Sequence, residues 1–90
     1  MNPDEIRAKV LAALAAVVPE LDPSELRPDR PLRDELDIDS MDFLNFTIGL
    51  HKAFGIEIPE QDYRKVATLN ACVDYVATAL ARGGGAPSPR

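Results

Sequence analysis

The stretch Leu36-Asp37-Ile38-Asp39-Ser40-Met41-Asp42-Phe43-Leu44 sets a serine at the point where a long polar connection gives way to a helix. Upstream, Pro19, Pro23, Pro28 and Pro31 interrupt any helical run. Downstream, apolar residues recur at helical spacing from Ser40 to Phe54, and Gly55 supplies the stop. Phe43, Phe46, Thr47, Leu50 and Phe54 form one face, while Met41, Leu44 and Ile48 form a second. A helix apolar on two faces is either buried all round or uses one face for binding. In so small a protein both faces cannot be fully buried, so Met41, Leu44 and Ile48 are candidate partner contacts. The plainer alternative is that they cap the core edge beneath the long connection. Gly49, in mid-helix, costs about 1 kcal/mol relative to alanine, which points to close packing or to space kept open.

Two further helices flank this one. Asn2 as N-cap, Pro3 at the first helical position and Glu5 as the capping-box acid start a helix. Ile6, Val10, Leu14 and Val17 give it one apolar stripe, and Pro19 ends it. The last helix takes Thr68 as its cap and runs to about Arg82, with Leu69, Val73, Val76 and Leu80 as its stripe and Gly83 beyond. From Pro19 to Asp39 the connection is longer than the two to eight residues common between neighbouring helices. One helical turn is expected at Asp22–Leu26, with Leu21, Leu26, Leu32 and Leu36 pinning the segment to the core. A short, weak helix is expected over Glu60–Lys65. The expected fold is all-α: a small bundle of three main helices plus one short helix, with a long loop between the first and second. Residues 1–82 read as one domain, and Gly83-Gly84-Gly85-Ala86-Pro87-Ser88-Pro89-Arg90 as a disordered tail or linker remnant.

Composition limits what such a chain can do. Ninety residues allow one modest core and no deep catalytic cleft. No apolar run approaches 18 residues, so a helical membrane span is excluded. The N-terminal segment is acidic and helix-initiating, unlike a targeting peptide. A single cysteine, Cys72, and a single histidine, His51, make an internal disulfide impossible and a zinc site improbable. Cys72 itself reads as core packing, and a reducing cytoplasmic setting is expected. The net charge of −5 is concentrated: residues 34–62 hold eight acids against Lys52 alone. That surface argues against nucleic-acid binding and favours basic protein partners, the bland alternative being a solvated acidic face.

Ser40 has three possible roles. A catalytic nucleophile needs a base within hydrogen-bond reach, and His51 lies 11 residues along the same helix, about 16 Å away at 1.5 Å per residue. A helix cap is the usual role of a serine here, but Asp39 already serves that purpose and leaves Ser40 to point outward. The third role is acceptor for a phosphodiester-linked group, for which the positive end of a helix is a suitable place.

Asp39-Ser40-Met41 resembles the Asp-Ser-[Leu/Met/Ile] core of acyl carrier proteins. Phe54-Gly55-Ile56-Glu57-Ile58-Pro59 is similar to the family segment that closes the second helix, and Leu69 to Leu80 to its final helix. The resemblance covers about residues 3–82 and looks most like a free-standing carrier. It implies a protein that performs no chemistry itself. A phosphopantetheinyl transferase would attach 4'-phosphopantetheine to Ser40, and acyl-loading and acyl-transfer enzymes would exchange thioester cargo on it. It further implies that Asp39, Met41, Asp42, Leu44 and Ile48 meet partners, and that Phe46, Leu50, Ile58 and Val73 lie near an acyl-chain cavity. A monomer is expected.

Three departures from the family pattern stand out. Asp37 occupies a position usually held by glycine, although aspartate tolerates a left-handed backbone better than most residues. Asn45, His51 and Lys52 replace the usual acids further along the helix, which points to a specialised fatty-acid, lipid or polyketide pathway. Phe43 and Phe46 are bulky and alter cargo space. The alternatives are an aminoacyl or peptidyl carrier of nonribosomal synthesis, or a non-catalytic helical adaptor.

Overall fold

The computed structural model describes residues 1–82. Helix α1 spans Pro3–Val17, α2 Leu32–Leu36, α3 Ser40–Phe54 and α4 Leu69–Ala81, with 3-10 segments at Pro23–Glu25 and Glu60–Val66. The three long helices begin and end where local chemistry directs. Asn2 and Glu5 form a reciprocal capping box at α1. Thr68 accepts the Ala71 amide at 3.0 Å to open α4. Gly55, at φ 68°, closes α3 with its amide on the His51 carbonyl. His51 reinforces that end, its ring Nδ1 lying 2.6 Å from the Ile56 carbonyl and 3.2 Å from a Glu57 carboxylate oxygen.

The apolar stripes meet in one interior. Ile6, Val10 and Leu14 of α1 pack with Phe46 and Leu50 of α3 and with Leu69, Cys72 and Val76 of α4. The phase of α4 differs slightly from expectation. Cys72 is fully buried, whereas Val73 and Leu80 are half-buried beside the core. Burial pushes the Cys72 thiol up to about 12, and the residue packs as a small hydrophobe.

The segment between α1 and α3 is more ordered than a loop. Asp22 caps the first 3-10 turn through the Ser24 amide and hydroxyl. The additional helix α2 follows Pro31, and its Glu35 carboxylate takes the Arg27 amide at 3.0 Å. Leu26 and Leu32 are buried and Leu21 and Leu36 half-buried, as four anchors to the core. Two main-chain bonds, Leu32 N to Ala67 O at 2.7 Å and Asn70 N to Pro28 O at 3.0 Å, sew this segment to the start of α4. Residues 83–90, read as a tail from sequence, lie outside the described residues.

Candidate functional site

Ser40 is delivered by a clipped turn. Asp37 adopts a left-handed conformation, φ 52° and ψ 46°, and its amide and that of Ile38 both bond the Arg33 carbonyl. Ile38 then buries its side chain, and Asp39 returns to extended backbone as the cap of α3. Only these three residues separate α2 from α3, so little freedom remains in where Ser40 sits. The aspartate at 37 performs the backbone task for which glycine is the common choice.

At the head of α3, Asp39 does the capping. Its carboxylate accepts the Asp42 amide at 2.9 Å and its carbonyl accepts the Phe43 amide at 3.0 Å. Ser40 is the first helical residue and is exposed. Its hydroxyl makes no hydrogen bond to a partner among the described residues, and its amide and that of Met41 belong to the first turn, which has no intrahelical acceptors. An oxygen here is accessible to an incoming reagent, and the helix end favours the negative charge of an attached phosphate. Helix α3 is unbroken from Ser40 to Phe54, so His51 stays at its far end, away from the serine.

The expected partner-contact residues share the outer side of α3 or its cap. Met41 is 65% exposed, Ile48 43% and Leu44 36%, an apolar stripe open to solvent. That disposes of the alternative in which these side chains seal the core edge. Asp39 is exposed and Asp42 partly so, placing two acids at the serine end of the stripe. Lys52, exposed, stands near the other end.

An open groove of about 560 Å³ begins at Ser40. Met41, Phe43 and Leu44 continue its α3 wall, and Arg33 contributes from α2. The opposite material comes from the 3-10 helix, through Glu60, Tyr63 and Arg64, with Ala67 beyond. Phe43 joins the two sides, its ring 5.7 Å from Tyr63 and 5.9 Å from Phe46 between centroids. The 3-10 helix is itself fastened to α4 by the Tyr75 hydroxyl, which donates to Asp62 at 2.7 Å. Burial, with that carboxylate second, pushes the Tyr75 phenol up to about 12. The same hydrogen bond holds the Asp62 carboxyl below its ordinary value.

Phe46, Leu50, Ile58 and Val73 do not line this groove. Phe46 and Leu50 are completely buried, and Ile58 and Val73 pack half-buried against the same core. Of the two phenylalanines expected to affect space near the serine, Phe43 floors the groove and Phe46 fills the interior. Gly49 keeps no special gap. A Cβ built there would meet the Ala13 Cβ at 3.5 Å, an ordinary contact. Arg33, Tyr63 and Arg64 carry no pattern in sequence that links them to Ser40; only the fold brings them together.

The comparisons agree with this architecture. The family model described as "Phosphopantetheine attachment site" matches residues 8–76. The acyl carrier protein of Rubrobacter xylanophilus is 36% identical over 76 residues, covering 84% of this chain and 93% of that protein. The acyl carrier protein of Micrococcus luteus is 32% identical over 78 residues, covering 83% and 96%. A solved structure of acyl carrier protein from Enterococcus faecalis superposes with a TM-score of 0.68 at 24% identity, over 87% of this chain and 98% of that one. This last likeness speaks to the fold alone.

Proposed function

Because this chain belongs to the acyl carrier protein family, a family of non-catalytic carriers that bear a phosphopantetheine attachment site, we propose that Ser40 is the residue that takes 4'-phosphopantetheine. The observation that carries this assignment is the division of labour at the head of α3. Asp39 takes the cap, and the Ser40 hydroxyl is left exposed and uncommitted. In the transfer, the Ser40 oxygen bonds to phosphorus of coenzyme A and the bond from that phosphorus to the nucleotide half breaks. The hydroxyl proton passes to a base of the phosphopantetheinyl transferase, since among the described residues no side chain hydrogen-bonds the Ser40 hydroxyl and the neighbouring Asp39 carboxylate is engaged by the Asp42 amide. The group, when attached, supplies a thiol that holds acyl cargo as a thioester.

The chain's own residues then present that cargo. Met41, Leu44 and Ile48 form the apolar centre of a docking surface for transferase, acyl-loading and acyl-transfer enzymes, and Asp39 and Asp42 steer basic groups of those partners toward the serine. Asn45, His51 and Lys52 favour enzymes of a specialised fatty-acid, lipid or polyketide pathway over a generalist set. Phe46, Leu50, Ile58 and Val73 are a packed interior that an acyl chain enters only by displacing side chains. Residues 1–82 constitute the carrier domain, acting as a monomer in the cytoplasm.

The test is intact mass after incubation with coenzyme A and a promiscuous transferase. The expected result is a gain of one phosphopantetheine by the wild-type chain and none by Ser40→Ala. An unchanged wild-type mass, or a gain that survives Ser40→Ala, would refute the assignment.

A further inference from the structure

The charges of α3 are sorted to its two ends. Asp42 stands in the first turn beside the cap Asp39, His51 and Lys52 stand in the last turn, and residues 43–50 carry none. His51 is already engaged, its ring Nδ1 lying against the Ile56 carbonyl and a Glu57 carboxylate oxygen. Lys52 is exposed and forms no ion pair among the described residues. It is the single lysine or arginine of residues 34–62, where eight acids leave a net −7. A cation at a helix C-terminus suits the dipole. That end of α3 is nevertheless closed without it, by the Gly55 amide on the His51 carbonyl and by the His51 ring. Met41, Leu44, Ile48 and Lys52 follow one another at steps of three and four residues, which puts them on one face of the helix. The face therefore runs from acid through an exposed apolar stripe to an unpaired base, with Asp42 and Lys52 about 15 Å apart along the axis.

We propose that Lys52 is a specificity determinant of this face, and that the enzymes the carrier serves meet it with a surface basic opposite Asp39 and Asp42, apolar opposite Met41, Leu44 and Ile48, and acidic opposite Lys52. This rests on the reading of Ser40 as the attachment residue, which brings the reacting enzyme to the serine end of α3. An enzyme whose docking surface is basic throughout sets a like charge against Lys52 and is rejected by it, while a carboxylate there adds an attraction and fixes the register. A second copy of this chain laid antiparallel on α3 would also match acid to base. It would cover Ser40, however, so the occupant that leaves the serine usable is an enzyme.

The probes are three helical peptides of about 16 residues, each with an apolar face and a pair of lysines at the end nearest its linker. The far end carries glutamate in the first, glutamine in the second and lysine in the third. Each is joined through a maleimide to the arm thiol of the loaded chain, so that docking becomes intramolecular and weak contacts register. Cys72 is buried and does not compete for the maleimide. Intact mass verifies the arm and then the conjugate; a chain that takes no arm ends the Ser40 reading, and the proposal with it, before any docking is measured. Nitrogen–proton correlation spectra at low salt follow the amides of residues 41–52. The expected result is docking strongest with the glutamate peptide and weakest with the lysine peptide, the docked-to-free ratio differing by roughly two- to fivefold. Lys52→Glu should reverse that order and Lys52→Gln should level it, with loading at Ser40 unchanged in both. Equal docking of the three peptides, docking of none, or an order that Lys52→Glu leaves as it was overturns the proposal. So does movement of the same amides on concentrating the unconjugated chain, which would assign the face to a second copy.

Discussion

Replacing Gly49 by alanine should stabilise the protein, and the structure sets the size of the effect. Glycine in a helix interior is less favourable than alanine by about 0.8–1.0 kcal/mol. The added methyl would meet the Ala13 Cβ at 3.5 Å, a normal contact between α3 and α1. It would lose part of its exposure, contributing a fraction of the roughly 0.8 kcal/mol of a buried methylene. Together these give about 1–1.5 kcal/mol, which in a domain of this size raises the thermal midpoint by about 5–10 °C. Thermal and urea unfolding followed by circular dichroism would measure it, with an unchanged urea slope showing that the end states are the same. Gly49→Leu, which pushes bulk toward α1, should fall well below the alanine variant, because overpacking costs about 1–3 kcal/mol. Loading at Ser40, about 13 Å away along the helix axis, should be unaffected by the alanine. A lowered midpoint for Gly49→Ala would refute the reasoning, for it would mean that α1 and α3 approach more closely than this contact allows.

Two other outcomes are expected. Tyr75, whose phenol is pushed up to about 12, has a folded pKa above its unfolded value of about 10. Its contribution is therefore fully present below about pH 10 and lost as pH rises toward 12. Urea midpoints should accordingly fall more steeply over that window in wild type than in Tyr75→Phe, and phenolate absorbance in a Tyr63→Phe background should place the Tyr75 titration; a transition near pH 10 would contradict the burial argument. Asp42→Lys should slow association with a phosphopantetheinyl transferase and flatten the dependence of that rate on salt, measured by stopped flow, whereas unchanged kinetics would remove Asp42 from the docking surface.

The elements legible in sequence are those whose ends carry their own chemistry. Asn2, Asp39 and Thr68 cap three helices through hydrogen bonds that span only three residues, and Gly55 stops α3 for a reason internal to its backbone. Helix α2 left no such trace. It has five residues, too few for a period, and follows Pro31 without a side-chain cap. Its one signal is Leu32 and Leu36 at helical spacing with Asp34 and Glu35 in the first turn. In α4, Leu69 and Val76 are buried as their spacing predicts and Cys72 joins them in the core, while Val73 and Leu80 lie half-buried at its edge; the bridge between Pro31 and Thr68, which ties the start of that helix to the connection, has no signature in the sequence. At the site, the exposed serine and the outer stripe followed from helical spacing. The groove did not, since Arg33 and Arg64 stand 31 positions apart and line the same groove only in the fold.

The concealment of Cys72 protects the cargo from its own scaffold. A thioester on a swinging tether meets any nucleophile of the same molecule at an effective concentration on the order of millimolar. An accessible cysteine would strip the acyl group by exchange, or close a mixed ring with the empty tether on oxidation. The chain's one cysteine has neither access nor a ready thiolate, being fully enclosed with its thiol pushed up to about 12. Thiol exchange between a passenger and the scaffold is thereby closed off.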